Sequence, residues 1–164
     1  MLSCNRWLHI VPRNATDGCD IVARVVPDSI TREIVIDAPP ERVWAIVTEA
    51  QHMAGWFSDE VEIDLRPGGA MLLTWYRHGS YQGRVDTVDP PRTFAFRWLR
   101  REDAEGSTRV VMTLTPEGDA TRLRVVESGF AGLAWPEDER TRHAEENRVG
   151  WGVELDELRA YAER

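Results

Sequence analysis

Residues 137–162 read EDERTRHAEENRVGWGVELDELRAYA. Acids crowd the beginning, with Glu137, Asp138 and Glu139 where the positive end of a helix dipole favours them. Further on, Trp151, Leu155, Leu158 and Ala162 recur at spacings of four, three and four, one continuous stripe on a helix. One turn back the stripe reaches Asn147, while Val149 and Val153 fall to its side. The pattern predicts a helix of about 25 residues, roughly 37 Å long. A stripe of that length needs an apolar surface to cover.

That surface is supplied upstream. Ile30–Asp37 reads as a strand ended by Ala38-Pro39-Pro40, and two prolines suit the first turn of a helix, where their missing N–H groups are not needed. Glu41 favours the dipole of that helix, and Val43, Trp44 and Val47 give it an apolar face. A second short helix is predicted around Gln51–Trp56, stopping near Gly55. Val61, Ile63 and Leu65 then alternate with Glu60, Glu62 and Asp64, a strand with one buried face and one wet face. Pro67-Gly68-Gly69 turns the chain into strands Ala70–Tyr76 and Tyr81–Asp89, joined at a His78-Gly79-Ser80 tip and closed by Pro90-Pro91. Thr93–Arg100 puts Phe94, Phe96 and Trp98 on one face. Thr108–Thr115 and Thr121–Ser128 form the last hairpin, around Pro116-Glu117-Gly118-Asp119. Short turns between closely spaced strands mean an antiparallel meander, not parallel crossovers. The predicted class is α+β: a curved antiparallel sheet of about six or seven strands around a long C-terminal helix, with two short helices after the first strand.

Composition narrows the function. A chain of 164 residues, 42% apolar and 29% charged, suits one soluble globular domain. Its net charge of -8 argues against nucleic acid and against an anionic membrane surface as partners. The longest charge-free stretch, Pro67 to Tyr76, is half the length of a membrane-crossing helix. All twenty basic residues are Arg, which excludes any lysine Schiff base, lysine nucleophile or P-loop lysine. Cys4 and Cys19 are two thiols in a neutral leader; they make neither a disulfide framework nor a zinc site, and no metal-ligand spacing occurs elsewhere. Residues 1–29 lack the pattern of a secretory signal and read as an N-terminal extension, or as sequence ahead of a true start at Val22, Val25 or Val26. The domain is expected over 30–164, in the cytoplasm, with no metal and no cofactor.

Several stretches carry a family resemblance. Ala38-Pro39-Pro40-Glu41-Arg42-Val43-Trp44, Trp56-Phe57 and Pro67-Gly68-Gly69 resemble the START-like (SRPBCC) superfamily, and within it the bacterial Hsp90-ATPase-activator-homologue group. So do Val88-Asp89-Pro90-Pro91-Arg92 leading into Phe94-Ala95-Phe96-Arg97-Trp98, and Thr113-Leu114-Thr115-Pro116-Glu117-Gly118. Val125-Val126-Glu127-Ser128-Gly129-Phe130 follows, then Asn147, Gly150-Trp151, Leu155-Asp156 and Tyr161. The resemblance spans about residues 30–164. It implies the helix-grip fold, in which sheet and C-terminal helix enclose an elongated cavity for apolar ligands. It does not imply a reaction, because one fold hosts many functions. The eukaryotic co-chaperone behind the family name carries a further N-terminal domain for which this chain has no room, so Hsp90 is not an expected partner. A weak homodimer is left open.

Seven Trp outnumber four Phe and three Tyr. Trp suits both cores and flat ligands, so each ring is either core filler or cavity wall. Trp98 and Trp151 stand on facing elements and are the best placed to line a cavity, with Phe94, Phe96, Met112 and Leu155 nearby and Trp56 close to the mouth. Glu127 has two readings. Its parity with Leu123 and Val125 points the carboxylate inward, where it could anchor or protonate a ligand; a strand ending before Ser128-Gly129 leaves it in water at the rim. Asn147, on the Trp151 stripe, bonds either a ligand or a neighbouring carbonyl. Of the four His only His52 lies where a pocket mouth is expected, beside Trp56 and Phe57, and Glu127 and His52 are the only candidates for acid–base work. No nucleophile elbow and no phosphate loop occurs.

With no assembled catalytic set, the residues point to a binder of an apolar or aromatic small molecule, without catalysis. The alternative is an enzyme of the polyketide-cyclase or dehydratase kind, for which Glu127 and Asn147, with or without His52, must converge on one cavity. A third reading is an interaction module acting on Hsp90.

Overall fold

Proline decides where the first helix begins. In the computed structural model, which describes residues 25–99 and 106–164, β1 (Ser29–Ile36) ends just before α1 (Pro40–Thr48), with Pro39 as its N-cap and Pro40 in its first turn. The readings made for Cys4, Cys19 and most of the leader lie outside the described residues. A four-residue α2 (Ala50–Met53) follows, shorter than the predicted Gln51–Trp56. Beyond it the chain turns at Gly55, where a Cβ would stand 2.5 Å from the Tyr161 ring, and Trp56 and Phe57 therefore fall on a connection rather than a helix.

β2 (Glu60–Ile63), β3 (Ala70–Trp75), β4 (Gly79–Asp89), β5 (Thr93–Leu99), β6 (Arg109–Glu117) and β7 (Ala120–Ser128) complete a seven-stranded antiparallel sheet in the order β1-β7-β6-β5-β4-β3-β2. A bulge between Val85 and Thr87 interrupts the β4–β5 register. The two edges are β1 and the short β2, whose Glu60 and Glu62 face solvent. After β7 a single 3-10 turn (Phe130–Gly132) leads to α3 (Glu137–Ala162), matching the predicted helix at both ends.

The concave face of the sheet carries Ile36, Leu73, Val85, Phe94, Phe96, Val110, Met112 and Leu123, each 1% exposed or less, and α3 contributes Trp151, Leu155 and Leu158 to the same core. Val149 and Val153 stay exposed at the side of the helix. Polar contacts fix α3 along β1: both Nε and Nη2 of Arg32 donate to the Arg148 carbonyl, at 3.1 and 3.0 Å. At the far end the Asp37 amide donates to Glu163 Oε1 and Arg42 Nε to the Ala162 carbonyl. The rod lies against the sheet as the stripe required.

Half-buried Glu157 on α3 introduces a pH dependence. Desolvation pushes its carboxyl above the usual carboxylate range. The native state then holds this proton more tightly than the unfolded chain, so the ionised form costs stability at neutral pH and the cost fades as the pH falls through the native value. Glu157→Gln is expected to stabilise the protein at pH 7 by a few tenths of a kcal/mol, allowing for solvent screening. The gain should vanish below the ordinary glutamate value of about 4.3, which urea denaturation at pH 7 and pH 3.5 checks.

Candidate functional site

β7 remains paired through Ser128, so the alternation set by Leu123 and Val125 carries on to Glu127. Glu127 lies opposite Ile30 on one side and Val110 on the other, in the middle of three strands, and is 1% exposed. Its carboxylate is inside, not at the rim. Gly129 ends the strand with φ 98°, a left-handed turn that a side chain would strain, and an added Cβ would lie 2.9 Å from the Ser107 carbonyl.

Three donors from two other elements meet this carboxylate. Thr108, just ahead of β6, donates its hydroxyl to Oε1 at 2.6 Å. Asn147 Nδ2 lies 3.1 Å from both oxygens, and Trp151 Nε1 donates to Oε2 at 2.8 Å. Asn147 and Trp151 are one helical turn apart on α3, which is why both reach the same group. An amide NH2 and an indole N–H only donate, so the ring of donors suits the acceptor-only, ionised form of the carboxylate. Hydrogen bonds to an ionised acceptor are stronger than neutral ones, and these tie α3 to the centre of the sheet. Thr108 was not singled out in the sequence, although it shares parity with the inward residues Val110 and Met112. Glu154, also 1% exposed and three residues beyond Trp151, was likewise missed because the apolar stripe passes over it.

Beside this cluster the walls are aromatic. Trp98 and Trp151 both meet the ring of Phe57, at centroid distances of 6.3 and 5.5 Å. Trp56 stacks on Phe57 from 4.9 Å and Trp75 meets it edge-on at 5.8 Å. Phe96 lies against Trp98 and Phe94 against Phe96. Phe94 pairs across strands with Met112; both are fully buried, and Leu155 is 1% exposed. Trp98 is only partly buried. The indole N–H groups of Trp56 and Trp75 are satisfied by the carbonyls of Ile46 and Phe57. Of the residues expected to line a cavity, Trp56, Trp98 and Trp151 meet Phe57 of the 54–59 connection, and Phe94, Phe96, Met112 and Leu155 are buried in the core that contains them. Between Trp98 and Trp151 stands Phe57, which the sequence placed only at the mouth.

His52 is elsewhere. Its Nδ1 lies 2.9 Å from the Tyr161 hydroxyl, and its Nε2 is 3.7 Å from Glu49. It lines a cleft of about 300 Å³ with Arg42, Ala45, Ile46, Tyr161 and Arg164. Tyr161 follows Asn147 by fourteen residues, about 21 Å along the helix axis. Glu127 and Asn147 converge; His52 does not join them. Among the described residues no group of three or more His, Cys, Asp and Glu could hold a metal ion, and no helix is long and apolar enough to cross a membrane.

A family model described as Activator of Hsp90 ATPase homolog 1-like protein matches residues 37–163. Among solved structures, MLL2253 from Mesorhizobium loti is similar with 24% identity and a TM-score of 0.70, over 81% of this chain and 95% of that one. CalU16 from Micromonospora echinospora is 28% identical with a TM-score of 0.65, over 82% of this chain and 75% of its own. The dimeric Aha1 from Colwellia psychrerythraea is 18% identical, with a TM-score of 0.68 over 82% and 96%. The first and third are likenesses of fold alone. No curated protein matches the chain.

Proposed function

Because this chain belongs to the Activator of Hsp90 ATPase homolog 1-like family, we propose that it binds a small apolar or aromatic molecule between its sheet and α3, without catalysis, using the Glu127 cluster as a polar anchor. One observation carries this reading: a buried carboxylate ringed by Thr108, Asn147 and Trp151 borders an aromatic wall. Ligand sites combine mostly apolar walls with a few fixed polar groups in this way. Of the four residues only Glu127 carries an acidic or basic side chain, so shared acid–base work on one bond would need a second group that His52 is too distant to be. A cytoplasmic location and a weak homodimer are part of the proposal; the Colwellia psychrerythraea Aha1, similar in fold, is a dimer.

Intrinsic tryptophan fluorescence tests it. Trp151 touches both Phe57 and Glu127, so a molecule entering there changes its surroundings on two sides. Titration with neutral aromatics and fatty acids is expected to give a saturable shift in emission with at least one of them. A flat response across that panel up to millimolar concentrations would overturn the proposal.

A further inference from the structure

Resting on that binding reading, we infer that Phe57 is a removable plug: its ring holds the place that a flat, uncharged aromatic ligand takes, and the 54–59 connection carries it out. The surfaces that enclose the interior are the sheet and α3, and Phe57 belongs to neither. It sits on the six residues between α2 and β2, so it can leave without unpairing a strand, breaking at the end of α2 only the bond that its amide donates to the Met53 carbonyl. Phe94 and Phe96, by contrast, are built into β5.

The place it fills is shaped for a ring. Trp56 and Trp151 lie nearly parallel to the phenyl plane, at interplanar angles of 21° and 23°. Trp75 closes one side edge-on at 82°, and Trp98 leans in at 45°. Stacked and edge-on contacts are the geometries aromatic pairs favour, and they depend on a planar guest rather than a flexible chain. All four ring neighbours are indoles and none is charged, which selects for an uncharged ligand. Trp151 is also oriented through its N–H by Glu127, so the guest would rest on a face already held still.

The connection has the anchors a hinged plug needs. At its far end the Asp59 amide donates to the Thr74 carbonyl, and Ser58 Oγ donates to Glu60. At its near end Gly55 passes so close to the Tyr161 ring that no side chain fits there. Between the two ends the Phe57 amide donates to the Met53 carbonyl at 2.8 Å and its carbonyl accepts from Trp75 Nε1 at 2.9 Å, the two latches that opening breaks, while Trp56 stays tied through its Nε1 to the Ile46 carbonyl. A closed plug lowers the apparent affinity by the fraction of molecules that are open.

Toluene is the probe, with phenylacetate as its charged counterpart, read by tryptophan fluorescence in equilibrium and stopped-flow titrations. The wild type is expected to bind toluene weakly, at a rate that levels off as toluene rises because opening comes first. Phe57→Ala should bind it about tenfold tighter or more, with no plateau in rate. Phe94→Ala, which opens a hole of equal size in the same core, should show no such gain, and phenylacetate should bind no variant comparably. Should Phe57→Ala fail to fold, Phe57→Leu carries the test with a gain of about threefold. Toluene binding by the wild type that Phe57→Ala or Phe57→Leu leaves unimproved, or an equal gain in Phe94→Ala, sinks the plug and spares the binding reading. No response from the wild type or from either Phe57 variant sinks both.

Discussion

Glu127→Ala is expected to lower the stability of the domain by about 3 to 5 kcal/mol, a fall in Tm of roughly 10 °C. The size follows from what the truncation leaves behind. Thr108, Asn147 and Trp151 would each keep a buried donor with its acceptor gone, and an unsatisfied buried donor costs about 1 to 3 kcal/mol. The three do not simply add, since water entering the hole can serve more than one. Glu127→Gln separates charge from shape. Glutamine keeps the volume and one acceptor oxygen but turns an NH2 toward donors, so it should cost about half as much. Urea denaturation of the three proteins measures the difference. A loss below about 1 kcal/mol in Glu127→Ala would mean that the carboxylate does not organise this interior.

Trp151→Ala should be at least as damaging, about 4 kcal/mol or more. It removes a large ring that is 1% exposed and stacked on Phe57, a change that by itself costs about 3 to 5 kcal/mol. It also takes a buried hydrogen bond from the Glu127 carboxyl group. Trp151→Phe keeps most of the ring and loses only the N–H, for which about 1.5 to 3 kcal/mol is expected. If Glu127 and Trp151 work as a pair, the double variant Glu127→Gln/Trp151→Phe should cost less than the two single variants together, by about 0.5 kcal/mol or more. Strict additivity would show that the 2.8 Å contact carries no coupling of its own.

The architecture was legible because it rests on local signals that repeat. Trp151, Leu155 and Leu158 announce a helical face, and Pro39-Pro40 marks where α1 starts, for reasons that reach no further than one turn. Half of the Glu127 result was legible too. Parity with Leu123 and Val125 gives the inward direction, but the partners come from the residue ahead of β6 and from α3, nineteen to twenty-four residues away, and no spacing rule joins them. Phe57 was out of reach for a different reason. It lies on a connection with neither a period of two nor one of 3.6, so nothing local tells which way its ring turns. His52 was drawn toward the pocket by its neighbours Trp56 and Phe57, yet α2 ends at Met53 and its imidazole faces Tyr161 instead.

The short strand β2 also bears on how copies of the protein can meet. It is an edge of the sheet, the kind of border onto which a second molecule can add a strand and begin to aggregate. Antiparallel pairing of β2 with its own duplicate would bring Glu60 and Glu62 of one molecule against the same carboxylates of the other, and like charges set directly opposite repel. Four residues offer too few hydrogen bonds to offset that repulsion. The charge on this border thereby works against self-association by continuing the sheet.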